Sequence, residues 1–111
     1  MKRNNTMAYA VYVLNVFDKE MSKLPEFEKD IIRKIFLQLK ENPYAGDQIR
    51  YKFFREKRIK EKRIYYLVYD DLKIVLMVAI SGKKSQKETI DKIVSYFKEY
   101  RKYAEKLSNS S

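Results

Sequence analysis

Apolar and polar positions recur with two different periods along this chain, and the change of period separates predicted strands from predicted helices. Residues 8–16 are rich in β-branched and aromatic side chains and too few for a typical helix, so they predict a strand. Asp18 then predicts the N-cap of a short helical turn. A second helix is predicted from Pro25, at its first position, to the residue before Pro43. Its apolar stripe comprises Leu24, Phe27, Ile31, Ile35 and Leu39.

Three strand candidates follow in close succession. Residues 44–48 predict a loop, and residues 50–58, 62–69 and 73–80 predict strands, with a turn at residues 70–72 between the last two. The last of these strands is apolar at both odd and even positions, which predicts an interior strand covered on both faces. The basic first strand is expected nearer an edge of the sheet.

The C-terminal part predicts one long helix over residues 85–107. Ser85 and Glu88 have the spacing of a capping box, and Tyr96, Tyr100 and Tyr103 predict core or partner-binding positions. The element order β-α-α-β-β-β-α predicts an α+β fold, with helices packed on a mostly antiparallel, twisted sheet. We expect a single domain over residues 1–111, with frayed tails at residues 1–7 and 108–111.

Composition narrows the possible chemistry. The chain has 25 basic and 15 acidic residues and a net charge of +10, which favours nucleic acid, an anionic membrane or an acidic protein as partner. No apolar run reaches the roughly 20 residues that span a bilayer, so we expect a cytoplasmic protein without membrane contact. The chain has no Cys and no His, which excludes disulfides, Cys/His zinc sites and imidazole catalysis. Any catalysis must use Lys, Arg, Tyr or carboxylates.

The positive charge is concentrated on the predicted strands. Eight cations lie between residues 50 and 63: Arg50, Lys52, Arg55, Lys57, Arg58, Lys60, Lys62 and Arg63. Cations carried on strands form a fixed surface, and such a surface can hold a phosphate backbone in one register. The first hypothesis is therefore a small protein that acts on RNA.

Three local motifs resemble those of the RelE/ParE superfamily, the toxins of type II toxin–antitoxin systems. Residues 40–46 are similar to the family's helix end and loop. Residues 58–66 are similar to its hairpin, in which one Arg precedes the turn and a second Arg opens the next strand. Residues 81–86 are similar to the Gly-basic-basic element after the last strand, and residues 86–90 to archaeal and phage-type members. The resemblance covers about residues 9–107.

The resemblance implies an endoribonuclease that cleaves mRNA on the ribosome and inhibits translation without a metal or cofactor. It also implies a cognate acidic antitoxin, with the toxin monomeric alone and part of a hetero-oligomer when bound. Such a nuclease can direct the 2′-hydroxyl of RNA onto the adjacent phosphate if cations stabilise the developing charge and some group handles each proton.

The same resemblance assigns roles to individual side chains. Arg63 matches the phosphate-stabilising Arg, and Lys84 matches a position that stabilises charge or protonates the leaving oxygen. Arg58 matches the first basic residue of the hairpin. The sequence departs from the RelE pattern at Glu56, where RelE has a Lys, and at Ile90, where RelE has a Tyr.

Strand alternation predicts that Lys52, Glu56 and Arg58 share a face with Phe54. On that face, Glu56 could be a general base or, alternatively, a cross-strand salt-bridge partner. Tyr65 could stack on a base, or it could simply pack in the sheet. The further predicted RNA contacts are Lys52, Arg55, Lys57, Lys60, Lys62 and Lys83.

Several alternatives stay open at this point. Lys57, Lys60 and Lys62 could form a solvated face that protects an edge, and Arg63 could form an ion pair with Asp70 or Asp91. The chain could instead be a gyrase-directed toxin of the ParE type, or a weakly catalytic relative that binds RNA or an antitoxin. Convergence of Arg58, Arg63 and Lys84 on one cleft would favour the nuclease.

Overall fold

The computed structural model describes residues 8–110 as a single five-stranded sheet with helices on both faces. The predicted α+β class is confirmed. In chain order the elements are β1 (Ala10–Val13), α1 (Asn15–Met21), α2 (Glu26–Glu41), β2 (Asp47–Ile49), β3 (Tyr51–Ile59), β4 (Lys62–Tyr69), β5 (Ile74–Gly82), α3 (Gln86–Ser95) and α4 (Phe97–Ser110). The predicted N-terminal tail at residues 1–7 lies outside the described residues. Between residues 8 and 110, no helix is both long and apolar enough to cross a membrane.

The strands lie in the order β1-β5-β4-β3-β2. β1 is parallel to β5, and the other neighbours are antiparallel. β5 is interior, as its continuous apolar pattern predicts, because β1 and β4 flank it. The basic strand β3 lies next to the edge, which the three-residue β2 occupies.

Alternation along β4 divides the core between the two faces of the sheet. Ile64, Tyr66 and Val68 pack with α1 and α2, whereas Tyr65 and Leu67 pack with α3 and α4. All five side chains are at most 3% exposed. In a strand covered on both faces, successive side chains are buried on opposite faces of the sheet, so β4 contributes side chains to both cores.

The N-terminal elements differ from the predicted ones. The strand expected over residues 8–16 covers only Ala10–Val13. The Leu14 N–H still donates to the Met77 carbonyl of β5 at 3.1 Å, and the chain then turns into α1. Leu14, rather than Asp18, is the N-cap, and Asp18 lies in the first helical turn. The early turn buries Phe17 completely against the sheet.

The buried stripe of α2 also differs from the predicted one. Phe27, expected in the core, is 54% exposed, and its ring lies 5.4 Å from the Lys60 ammonium. Ile35 and Leu39 are buried as predicted, and Leu24 and Ile31 are partly buried against the same core, whereas Glu28 and Ile32 are buried without having been predicted. Pro25 is the N-cap rather than the first helical residue. The fully buried residues recur at spacings of four and three, as a helix requires, and the one predicted residue that faces away from the core is Phe27.

The predicted loop at residues 44–48 contains the start of an additional strand, β2. Arg50 has a left-handed φ of 61° and separates β2 from β3, and the register of the two strands shifts between Gln48 and Ile49. Phe53 and Phe54 both pack with α4, so the expected alternation is broken between them. Lys52 therefore does not share the predicted face and lies at the Tyr44 ring with Arg55. Phe54, Glu56 and Arg58 do share a face as predicted, because they are paired with alternate residues of β4.

The single C-terminal helix predicted over residues 85–107 is two helices. Tyr96 interrupts it with φ −110°, and its N–H donates to the Ile93 carbonyl three residues back. After this break, the Phe97 ring lies 5.0–5.6 Å from three aromatic rings of β3. The capping box also does not form, because Ser85 makes no side-chain capping hydrogen bond. α4 extends to Ser110, beyond the predicted end.

Asp70 joins three segments at the end of β4. Its carboxylate accepts hydrogen bonds from the Tyr9 and Tyr44 hydroxyls, both at 2.7 Å. The Tyr9 hydrogen bond, followed by that of Tyr44, lowers the pKa of Asp70. Burial, reinforced by Asp70, raises the pKa of Tyr9 to about 12.

Asp70→Asn should lower the free energy of unfolding at pH 7 by about 1 kcal/mol, because it removes a charge-assisted acceptor. In the wild type, the lowered pKa of Asp70 means that its carboxylate stabilises the folded state above about pH 4, and this contribution is lost as the pH falls. The raised pKa of Tyr9 stabilises the fold below pH 10, and this contribution is lost as the pH rises through about 12. Urea unfolding across pH measures both effects, with Asp47→Asn as control. Equal acid sensitivity of the Asp70 variant and wild type would contradict the assignment.

Candidate functional site

A cationic cavity of about 220 Å³ lies at one end of the sheet, where the β3–β4 hairpin meets the end of β5. Five cations and one carboxylate line it: Arg58, Lys60, Glu61, Lys62, Arg63 and Lys83. This volume is below the roughly 300–1,000 Å³ of a typical small-molecule pocket. The cavity therefore suits a compact anion such as a phosphate group.

Strand register brings these side chains together. Arg58 is paired with Arg63 across the hairpin, and Arg63 is paired with Ser81 on β5. Lys83 is the first residue after β5 and adds a cation next to the β3–β4 hairpin. Directly opposed like charges destabilise an antiparallel pair, so the two arginines are in an electrostatically unfavourable arrangement that a bound anion would relieve.

The hairpin turn has an unusual backbone conformation. Ile59 pairs with Lys62, which leaves Lys60 and Glu61 as a two-residue loop. Lys60 has φ 56°, a left-handed value that favours glycine. The turn thus places a lysine in the cavity lining where glycine would be less strained, with its ammonium over the Phe27 ring of α2.

An ion pair lies beside the cavity. Arg63 Nη1 is 3.4 Å from Glu56 Oε2, and each side chain is 14% exposed. The cross-strand salt-bridge interpretation of Glu56 is therefore confirmed, and the alternative partners Asp70 and Asp91 were wrong. Glu56 does not line the cavity, and its Oε1 is buried without a hydrogen-bond partner among the described residues.

Tyr65 cannot serve as the predicted stacking ring. It is 0% exposed, and its hydroxyl is 2.9 Å from the Ser81 hydroxyl. Burial raises the pKa of Tyr65, and the Glu56 charge adds to this effect. Tyr65 is therefore a neutral, buried strand residue bonded to Ser81, and the sheet-packing interpretation of Tyr65 is the correct one.

Arg55 and Lys52, both predicted to contact RNA, lie away from the cavity. The Arg55 guanidinium donates to the carbonyls of Gly46 at 2.7 and 3.2 Å, of Tyr44 at 3.2 Å and of Lys52 at 3.1 Å. Lys52 Nζ lies 5.3 Å from the Tyr44 ring, which Arg55 also contacts. These contacts tie β3 to the loop before β2, so we correct the role of Arg55 to a structural one.

The remaining predicted residues divide between the two sides of the sheet. Lys57 is paired with Ile64, whose side chain packs toward α1 and α2, so Lys57 projects away from the cavity. Lys84 is exposed in the turn before α3 and does not line the cavity. Arg58 and Arg63 thus converge as expected, but the third cation is Lys83 rather than Lys84.

Glu61, the carboxylate in the cavity lining, was not among the predicted site residues. The signal that could have identified Glu61 is its place in the two-residue loop between the paired residues Ile59 and Lys62, because the side chains of such a loop lie at the tip of the hairpin. Across the described part of the chain, no group of three or more Asp or Glu side chains is placed to hold a metal ion.

Comparisons with known proteins find similarity in structure only. No protein-family model matches the sequence, and no curated protein matches it significantly. A double arginine-to-alanine mutant of the Escherichia coli toxin RelE, in its free state, superposes with a TM-score of 0.69 at 20% identity. The match covers 81% of this chain and 98% of that one.

Two toxin–antitoxin complexes are also similar. One is the RelBE2 complex of Mycobacterium tuberculosis, with TM-score 0.60, 18% identity and coverage of 68% of this chain and 99% of that one. The other is the archaeal RelE–RelB complex of Pyrococcus horikoshii, with TM-score 0.60, 17% identity and coverage of 68% and 96%. These identities establish the fold, so the resemblance is confirmed at that level: this chain has the fold of the RelE toxins.

Proposed function

We propose that this chain is the toxin of a type II toxin–antitoxin module and acts as a metal-independent endoribonuclease on ribosome-bound mRNA. The observation that carries the proposal is the cationic cavity, in which Arg58 and Arg63 oppose each other and Lys83 joins them. The RelE fold supports the same conclusion.

The proposed reaction is attack of a ribose 2′-oxygen on the adjacent phosphorus, with cleavage of the bond to the 5′-oxygen. Negative charge accumulates on the phosphoryl oxygens in the transition state, and the guanidinium groups of Arg63 and Arg58 stabilise it. Preorganised charges in a partly enclosed site are worth more than the same charges in water. The 2′-hydroxyl proton passes to a carboxylate, for which the cavity lining supplies Glu61, and an ammonium of the cavity, such as Lys83, protonates the 5′-oxygen. The products are a 2′,3′-cyclic phosphate and a free 5′-hydroxyl.

The cavity lining also bears on the substrate. It contains no aromatic side chain, and Tyr65, the predicted stacking ring, is buried. Base stacking on aromatic rings normally supplies much of the affinity for single-stranded RNA. A cavity that holds phosphate but offers no stacking ring needs another body to position the strand, which supports mRNA on the ribosome as the substrate.

An acidic antitoxin is the proposed protein partner, with the toxin monomeric when alone. The net charge of +10 would accelerate capture of an acidic chain. The similar RelB-bound structures support a partner of this kind. We expect the complex to weaken as salt increases.

The test is cell-free translation with the purified protein, with mRNA ends mapped by primer extension. The wild type should produce new ends, and the variant Arg58→Ala/Arg63→Ala/Lys83→Ala should lose at least about a hundredfold in cleavage. The control variant Arg33→Ala/Lys34→Ala/Lys40→Ala removes the same charge from α2 and should cleave within about twofold of wild type.

Intact mRNA with normal translation in the presence of wild-type protein would contradict the nuclease. Supercoiling by DNA gyrase, measured in parallel, would then identify a ParE-type activity if the protein inhibits it. Equal loss of cleavage in both triple variants would show that net charge, rather than the cavity, is responsible.

A further inference from the structure

We propose that the Glu56–Arg63 ion pair is a latch. The Glu56 carboxylate binds the Arg63 guanidinium in the free protein, and an RNA phosphodiester that enters the cavity displaces this carboxylate from Arg63. This inference rests on the proposed function, because it specifies how the same site is regulated by its substrate. It makes Glu56 a residue that acts through Arg63.

The geometry of the Glu56–Arg63 contact is that of a weak ion pair. Arg63 and Glu56 share one nitrogen–oxygen contact of 3.4 Å, longer than the roughly 2.7–2.9 Å of a strong charge-assisted hydrogen bond. Arg101 and Asp71, by contrast, form two contacts, of 2.7 and 3.0 Å. The guanidinium of Arg63 is therefore not held in a two-pronged arrangement by Glu56.

The surroundings favour exchange of the carboxylate for a phosphate. Glu56 neutralises one guanidinium, while the opposed Arg58 and the nearby Lys83 contribute further positive charge to the cavity. A phosphodiester presents two oxygens to a guanidinium and can contact the other cations at the same time. Glu56 reaches Arg63 from outside the cavity lining and cannot make these additional contacts.

The latch also provides selectivity. A small monovalent anion gains too few contacts to replace the carboxylate, whereas a phosphate strand engages several cations together. The buried, unpartnered Oε1 of Glu56 is consistent with a carboxylate held in the free state by a single partner. Glu56 thus suppresses adventitious anion binding and lowers the affinity for RNA.

The test is the affinity for a short single-stranded RNA with 2′-O-methyl groups throughout, which binds but cannot react. Fluorescence anisotropy at fixed salt should show that Glu56→Gln binds about five- to tenfold more tightly than wild type. Glu41→Gln, an exposed position on α2 with the same change of charge, should change the affinity less than about twofold. Unchanged or weaker binding by folded Glu56→Gln would overturn the latch.

A double-mutant cycle isolates the pair. In the Arg63→Gln background, Glu56→Gln should give less than about a twofold gain, because no guanidinium remains to be released. An equal gain in both backgrounds would overturn the proposal. The wild-type chain gives a check that requires no variant: the carbon-13 carboxyl resonance of Glu56 should shift when the same RNA is added, and that of Glu41 should not.

These measurements need no cleavage. If Glu56→Gln binds more tightly while mRNA stays intact on ribosomes, the latch stands and the nuclease function fails. If cleavage depends on the cavity cations but the Glu56 carboxyl signal and the affinity do not respond, the nuclease stands and the latch fails.

Discussion

Arg63→Gln should reduce mRNA cleavage on the ribosome by about a hundredfold to a thousandfold, the usual cost of removing one preorganised group that stabilises transition-state charge. Arg63 is the one cation that lies in the cavity lining, faces Arg58 across the hairpin and is only 14% exposed. Low exposure raises the strength of its interaction with a developing anion. The measurement is the initial rate of appearance of cleaved ends in the cell-free system.

Two neighbouring lysines, one inside and one outside the cavity lining, provide a matched comparison of cleavage rates. Lys83→Gln should slow cleavage about tenfold, whereas Lys84→Gln, one residue along the turn and outside the cavity lining, should change it less than about threefold. The reverse order would show that Lys84, as the family resemblance implies, is the cation that acts. Circular dichroism of each variant separates a loss of rate from a loss of folding.

Gly46→Val should destabilise the fold by about 3 kcal/mol or more, a large part of the roughly 5–15 kcal/mol typical of a single domain. A Cβ at this position would overlap the carbonyl oxygen of Glu56 and lie 2.7 Å from the Tyr66 hydroxyl. Neither atom can retreat easily. The Glu56 carbonyl is strand backbone, and the Tyr66 hydroxyl accepts from the Gly46 N–H at 2.9 Å and donates to the Pro43 carbonyl at 2.8 Å.

The chain offers a matched control in Gly82, the other glycine. A Cβ there would meet nothing within 4 Å, so Gly82→Ala should change the free energy of unfolding by less than about 1 kcal/mol. Urea unfolding gives both values. A Gly46 variant as stable as the Gly82 variant would show that the loop before β2 shifts freely, contrary to its hydrogen bonds with Arg55 and Tyr66.

The interior of the sheet was predictable because its sequence signal is strong. The apolar run of β5 and the β-rich segment of β4 require burial on two faces, and no competing pattern is present. The short β2 was not predictable, because Asp47–Ile49 is polar and its pairing depends on the left-handed Arg50. The helix break at Tyr96 was not predictable either, because it accompanies contacts of Phe97 with aromatic rings on β3, which are distant in sequence.

The candidate site was predictable where local register decides it. Arg58 and Arg63 form the second cross-strand pair from a two-residue turn, so their convergence follows from the hairpin alone. Glu56 as the partner of Arg63 follows from the same register. The choice between Lys83 and Lys84 depends instead on where β5 ends, and the boundary of a strand is set by tertiary contacts that the sequence pattern does not contain.

β4 has Arg63 near its first residue and Asp70 directly after its last, so about 20 Å of one strand separates the crowded positive charge from the hydrogen-bonded Asp70. The unfavourable cluster is thus remote from the groups that fasten β1 and the loop before β2 to the sheet. Substitutions around the cavity can change its chemistry without loosening that end of the protein. The two ends of β4 thus serve different purposes, one carrying charge for function and the other holding the fold together.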